Sequence, residues 1–130
     1  MQPSKTTVIG LFNAPFQYQI PIFQRGYVWT LEKQVAPLWS DIQSQADALL
    51  ERQQLTSGAT TAMKPLPKHF LGSIVMTPVP NAFGRVPMYE VIDGQQRCTT
   101  LHLLLLAMHH AAKDSGQTSV AQMAAAVVRN

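Results

Sequence analysis

The chain has 130 residues, 46% of them apolar and only 13% charged, which supports a packed core and excludes intrinsic disorder. Ten Lys and Arg against seven Asp and Glu give a formal charge of +3, and the cations are scattered rather than gathered into a nucleic-acid arm. The single cysteine, Cys98, excludes an internal disulfide framework, and the pattern of apolar residues includes neither a signal peptide nor a membrane span, so a soluble cytoplasmic domain is expected.

Val8-Ile9-Gly10-Leu11-Phe12 reads as a short strand or turn that Asn13-Ala14-Pro15 ends. Tyr18 to Ile22 alternates and meets Pro21, the mark of a short edge strand running into a loop. That loop, 23–29, sets Arg25 and Gly26 among Phe23, Tyr27 and Trp29. Thr30 then caps a long helix with Glu32 in its first turn. Leu31, Val35, Leu38, Trp39, Ile42, Ala46, Leu49 and Leu50 recur at helical spacing, and Pro37 predicts an irregular first turn.

Residues 56–67 read as a loop, and His69 to Met76 as a strand stopped by Pro78 and Pro80. A turn over 81–85 and a returning strand over 88–92 complete a hairpin. Asp93 to Ala112 reads as a strongly apolar, largely buried helix, broken at Ser115-Gly116. Val120 to Val128 reads as an alanine-rich helix with nothing left to pack against, as in a fragment of a longer protein.

The segment richest in chemistry is Asp93-Gly94-Gln95-Gln96-Arg97-Cys98-Thr99-Thr100, between a strand and a helix. Asp93 as N-cap with Gln96 three residues on resembles a capping box. Gly94 permits a sharp turn, and the free amides of the first helical turn favour a phosphate. Arg97 adds a charge-assisted contact, and Thr99 and Thr100 add hydroxyls, one of which must face away. Ordinary turn chemistry accounts for the same residues. Likewise Arg25 either meets an anion or snorkels to water between aromatic anchors. Two arginines and a helix N-terminus would make a triphosphate cradle or a clamp on a DNA phosphate.

Four blocks occur in order: Phe23-Gln24-Arg25-Gly26-Tyr27-Val28-Trp29, Leu38-Trp39-Ser40-Asp41-Ile42, Phe70-Leu71-Gly72-Ser73-Ile74-Val75 and Val91-Ile92-Asp93-Gly94-Gln95-Gln96-Arg97-Cys98-Thr99-Thr100-Leu101. Together they resemble the N-terminal domain of the GmrSD family of modification-dependent restriction proteins, in the ParB/sulfiredoxin-like superfamily. The resemblance implies an α+β fold with a small mixed sheet packed against helices. It places a single domain over 1–130, with a core at 15–112 and the start of a helical extension at 113–130. It further implies binding and hydrolysis of a nucleoside triphosphate with Mg2+, in bacterial defence against phage or modified DNA. Under it Asp93, Gln96 and Arg97 are catalytic: Asp93 orients a metal or water, Gln96 positions the attacking water, and Arg97 stabilises the developing charge. Gly94 and Gln95 present amides to the phosphates, Thr99 and Thr100 complete the candidate phosphate-binding set, and Gln24 and Arg25 close the other side.

Two departures bear on this. Sulfiredoxin relatives carry a cysteine just before the motif arginine, whereas here Cys98 follows Arg97, which disfavours sulfinic-acid reduction. Family members continue into a helical region and often a nuclease domain, so DNA contact is expected through the full-length protein. The sequence assigns no metal-ligand set, Asp93 alone being placed to assist an ion. A direct nuclease is disfavoured because Glu90 and Asp93 alternate to opposite strand faces. The other reading is a non-enzymatic module that binds DNA backbone or a partner protein. Homodimerisation through exposed apolar surface is a further expectation. His102, His109 and His110 do not share a metal-binding spacing, and Cys98 reads as a small buried hydrophobe.

Overall fold

The computed structural model describes residues 2–21, 26–56, 64–81 and 83–128. It divides into two compact units, one of residues 1–26 and 73–130, the other of residues 27–72. The first is an α+β unit, as the sequence predicts.

Its sheet has three strands in the order β1-β3-β2: β1 (Gln17–Gln19), β2 (Val75–Val79) and β3 (Met88–Asp93). β1 runs parallel to β3, Tyr18 facing Tyr89, and β2 runs antiparallel to it, Met76 facing Val91. A register irregularity lies between Val75 and Met76. Pro78 does not stop β2; it sits inside the strand opposite Tyr89. An edge strand accommodates this, because the missing N–H is not required for a second neighbour. The strand expected from His69 therefore begins six residues later.

Residues 8–12 form a short helix, α1 (Val8–Phe12), instead of a strand or turn. Thr7 caps it by accepting the Gly10 N–H at 3.0 Å, and Leu11 is buried. Leu11 joins Val91 and Cys98 in the core, with Phe12, Tyr18, Ile74 and Met76 packed against them. Tyr18 Oη donates to the Leu11 carbonyl at 2.8 Å and ties β1 to α1.

Helix α3 (Gln95–Asp114) buries Cys98, Thr100, Leu101 and Ala112, while Leu103 and Met108 are exposed, so it is less fully covered than its apolar sequence predicts. Its chain turns at Ser115 and Gly116 into α4 (Thr118–Val128). The alanine-rich helix does have a partner. α4 packs on α3 and touches α1, burying Ala121, Ala124 and Val127. His109 Nδ1 lies 2.8 Å from the Ala121 carbonyl, the ring N–H donating across this contact.

In the second unit Thr30 caps a π-helical turn (Leu31–Val35) that leads into α2 (Ala36–Thr56). Thr30 Oγ1 accepts the Lys33 N–H, and Gln34 Oε1 accepts the Thr30 N–H at 2.8 Å. Pro37 accounts for the wide turn, since its ring would clash with the carbonyl four residues back in a regular helix. His69 Nε2 approaches Asp41 Oδ2 at 3.3 Å. Leu31, Trp39, Leu49, Leu50, Leu55 and Phe70 are exposed in this unit.

Candidate functional site

The site predicted from the sequence falls where β3 hands over to α3. Asp93 is the last residue of β3, so it does not cap the helix through the expected box. Gly94 stands at the N-cap with φ +86°, and no side chain caps the helix there. Asp93 Oδ1 instead accepts the Gly94 N–H at 2.8 Å. Strand pairing holds Asp93 opposite Val75, and the left-handed glycine makes the change of direction.

The glycine also allows close packing. A Cβ at position 94 would lie 3.0 Å from the Ser73 carbonyl oxygen, 3.1 Å from Ile74 Cγ1 and 3.3 Å from Ile74 Cα. The chain entering β2 thus passes directly over the start of α3.

The next three side chains each reach a backbone carbonyl of a different segment. Gln95 Nε2 donates to Val91 at 2.9 Å and to Ile92 at 3.2 Å. Gln96 Nε2 donates to Gly26 at 3.1 Å, and Arg97 Nη1 to Ser73 at 2.7 Å. The last is at the short end of the range for charge-assisted bonds. Thr99 Oγ1 donates to the Gln95 carbonyl at 3.0 Å and Thr100 Oγ1 to the Gln96 carbonyl at 2.8 Å. Thr100 is buried, and Thr99 is the hydroxyl nearer the surface.

The Gln96–Gly26 bond joins residues 70 positions apart. Gly26 directly follows Gln24-Arg25 in sequence; those two expected site residues lie outside the described residues. Sequence reasoning placed Gln95, Gln96 and Arg97 at one helix start and missed Ser73, whose carbonyl receives the guanidinium. The Gly72-Ser73 pair in the third sequence block is the signal that could have found it.

Residues 8–126 match the GmrSD restriction endonuclease family, N-terminal domain. The chain belongs to that family. Membership implies a restriction-related protein acting on modified DNA. The GmrSD match extends past the 15–112 core expected from the motifs and takes in α1 and most of α4. Comparison with curated proteins and with solved structures gives no match. Among the described residues no helix is long and apolar enough to cross a membrane.

For a divalent ion, no group of three or more His, Cys, Asp or Glu ligands forms among the described residues. Mg2+ needs no such cage when it arrives with a triphosphate, because one carboxylate and the phosphate oxygens suffice. Asp93, exposed beside Gly94, fits that requirement.

Beneath the site lies Cys98, whose thiol burial pushes up to about 11 despite a lowering by Arg97. Burial, then Cys98 and Tyr89, push the Tyr18 phenol up to about 12. Both groups are held neutral in the folded protein, above their ordinary values of 9.0 and 10.0. Their contribution to stability is complete below about pH 9 and is lost as pH rises through about 12. Thermal melts are expected to show a falling Tm across that alkaline window, and a flat profile would contradict the assignment. At pH 8 roughly one Cys98 thiol in a thousand is ionised. Iodoacetamide is therefore expected to label it at least about tenfold faster after denaturation.

Proposed function

We propose that this chain is the nucleotide-binding, triphosphate-hydrolysing regulatory domain of its restriction protein, with the phosphates held where α3 begins. The observation that carries this reading is the Gln96–Gly26 hydrogen bond, which brings the residue after Gln24-Arg25 to the Asp-Gly-Gln-Gln-Arg turn. A helix N-terminus and the Arg97 guanidinium meet there, and both favour a polyanion. The Gln95 amide binds the phosphates, joined by the Gly94 N–H and the Thr99 O–H as these leave Asp93 Oδ1 and the Gln95 carbonyl; Gln24 and Arg25, outside the described residues, belong to the same phosphate-binding set. Asp93 would hold an accompanying Mg2+, which would supply neutralisation of phosphate charge, while Gln96 orients the attacking water and Arg97 offsets charge gathering on the transferred phosphoryl group.

A second reading has one observation behind it. Gln95, Gln96 and Arg97 all donate to backbone carbonyls, as a clasp joining three chain segments would. The module would then be non-enzymatic, recognising DNA or a partner protein within the intact protein. Equilibrium binding of Mg-ATP and Mg-GTP, with phosphate release, separates the two. Saturable binding that Arg97→Ala removes supports the first, and folded protein that binds neither nucleotide supports the second. The cytoplasm and a homodimeric assembly belong to the same proposal.

A further inference from the structure

A second feature of the α+β unit is the tip of the β2–β3 hairpin. From Thr77 to Met88 the sequence has no acidic residue and one cation, Arg85. Phe83 stands fully exposed at the turn, with Val86 half exposed nearby in sequence. The tip is braced: Asn81 Nδ2 donates to the Val86 carbonyl at 2.7 Å, Gly84 makes the turn at φ +84°, and the Gln17 N–H donates to the Pro87 carbonyl at 2.9 Å. Pro80 and Pro87 flank it. An exposed aromatic on a braced turn loses little freedom on binding.

Beside the turn lies an open hollow of about 400 Å³, lined by Gln17, Asn81, Gly84, Arg85, Val86 and Met88. Its size falls in the range of small-molecule sites, roughly 300–1,000 Å³. Gln17, Asn81 and Arg85 line it beside Val86 and Met88, and amide and guanidinium side chains are the residue types that meet base edges and phosphates. A protein partner would call for a broader apolar face than Phe83 and Val86 provide. A base inside a duplex offers no free face, so the aromatic needs one that is unstacked or turned out of the helix.

We propose that this hairpin tip is a DNA-contacting element that takes an unstacked base: Phe83 stacks on its face, the Gln17 and Asn81 amides meet its edge in the hollow, and Arg85 grips a neighbouring phosphate. The proposal rests on the family's action on modified DNA and is independent of triphosphate binding at α3.

The test is fluorescence anisotropy of a labelled single-stranded oligothymidylate of about 12 nucleotides and of a matched duplex, with the whole chain. Wild type is expected to prefer the single strand. Phe83→Ala weakens binding about 5- to 100-fold, and Phe83→Trp restores it with quenched tryptophan emission. Arg85→Gln weakens binding and flattens the salt dependence by about 0.7 in slope. Phe83 and Arg85 are both exposed, so all three variants keep the wild-type Tm. Wild-type binding that Phe83→Ala leaves unchanged overturns the hairpin assignment alone. No binding of either DNA counts against both the hairpin and DNA contact by this chain, and self-association abolished by Phe83→Ala overturns the proposal in favour of a protein interface.

Discussion

Gly94→Ala is expected to destabilise the protein by about 2–4 kcal/mol and to lower Tm by roughly 5–15 °C. The left-handed backbone at φ +86° already penalises any side chain. The larger part of the loss comes from the chain above it. A methyl group at 94 meets the Ser73 carbonyl oxygen at 3.0 Å and Ile74 at 3.1–3.3 Å. One of those atoms is a backbone oxygen and another a backbone Cα, so they yield only if the start of β2 moves. Val75 is paired with Asp93 and resists that shift. Gly84→Ala supplies the control, because φ there is +84° and nothing lies within 4 Å of the added carbon. It carries the backbone penalty without the collision and is expected to lose about 1 kcal/mol. Equal losses at the two positions would show that the approach of Ser73 and Ile74 does not constrain the turn.

Arg97→Ala is expected to weaken Mg-triphosphate binding by at least about tenfold, since a charge-assisted contact contributes about 1.5–3 kcal/mol. The same substitution removes the 2.7 Å bond to the Ser73 carbonyl and lowers stability by about 1–2 kcal/mol. The two losses have different signatures. Arg97→Lys keeps a charge but not the planar fork, and is expected to recover part of the affinity and little of the phosphoryl transfer. If Arg97 serves only as a clasp, Arg97→Ala lowers Tm and leaves the affinity of the still-folded protein untouched.

The helix from Thr30, the hairpin and the break at Ser115-Gly116 were legible in sequence because each is set by local chemistry: a cap, alternation around a turn, a glycine. α1 was not, because β-branched Val8 and Ile9 read as strand while the Thr7 cap and the burial of Leu11 decide for helix. Pro78 misled in the same way. Whether a proline ends a strand depends on whether that strand has a neighbour on both sides, which only the sheet order reveals. The partner of α4 was hidden because its contact uses alanines, which carry no strong pattern in a sequence.

At the candidate site, the gathering of Gln95, Gln96 and Arg97 at a helix start was readable from the strand–Asp-Gly–helix order. The shift of the cap from Asp93 to Gly94 was not, since it follows from β3 extending one residue further in register with Val75. The carbonyls that receive these side chains were equally hidden. Two of the acceptors lie 24 and 70 residues away, and a carbonyl has no residue type to announce it.

The most direct test of phosphate binding at the start of α3 is a titration of the 15N-labelled protein with a non-hydrolysable Mg-triphosphate, followed by its backbone amide resonances. The account predicts saturable shifts largest at Gly94, Gln95, Gln96 and Arg97. Saturation with those four amides unmoved would contradict it.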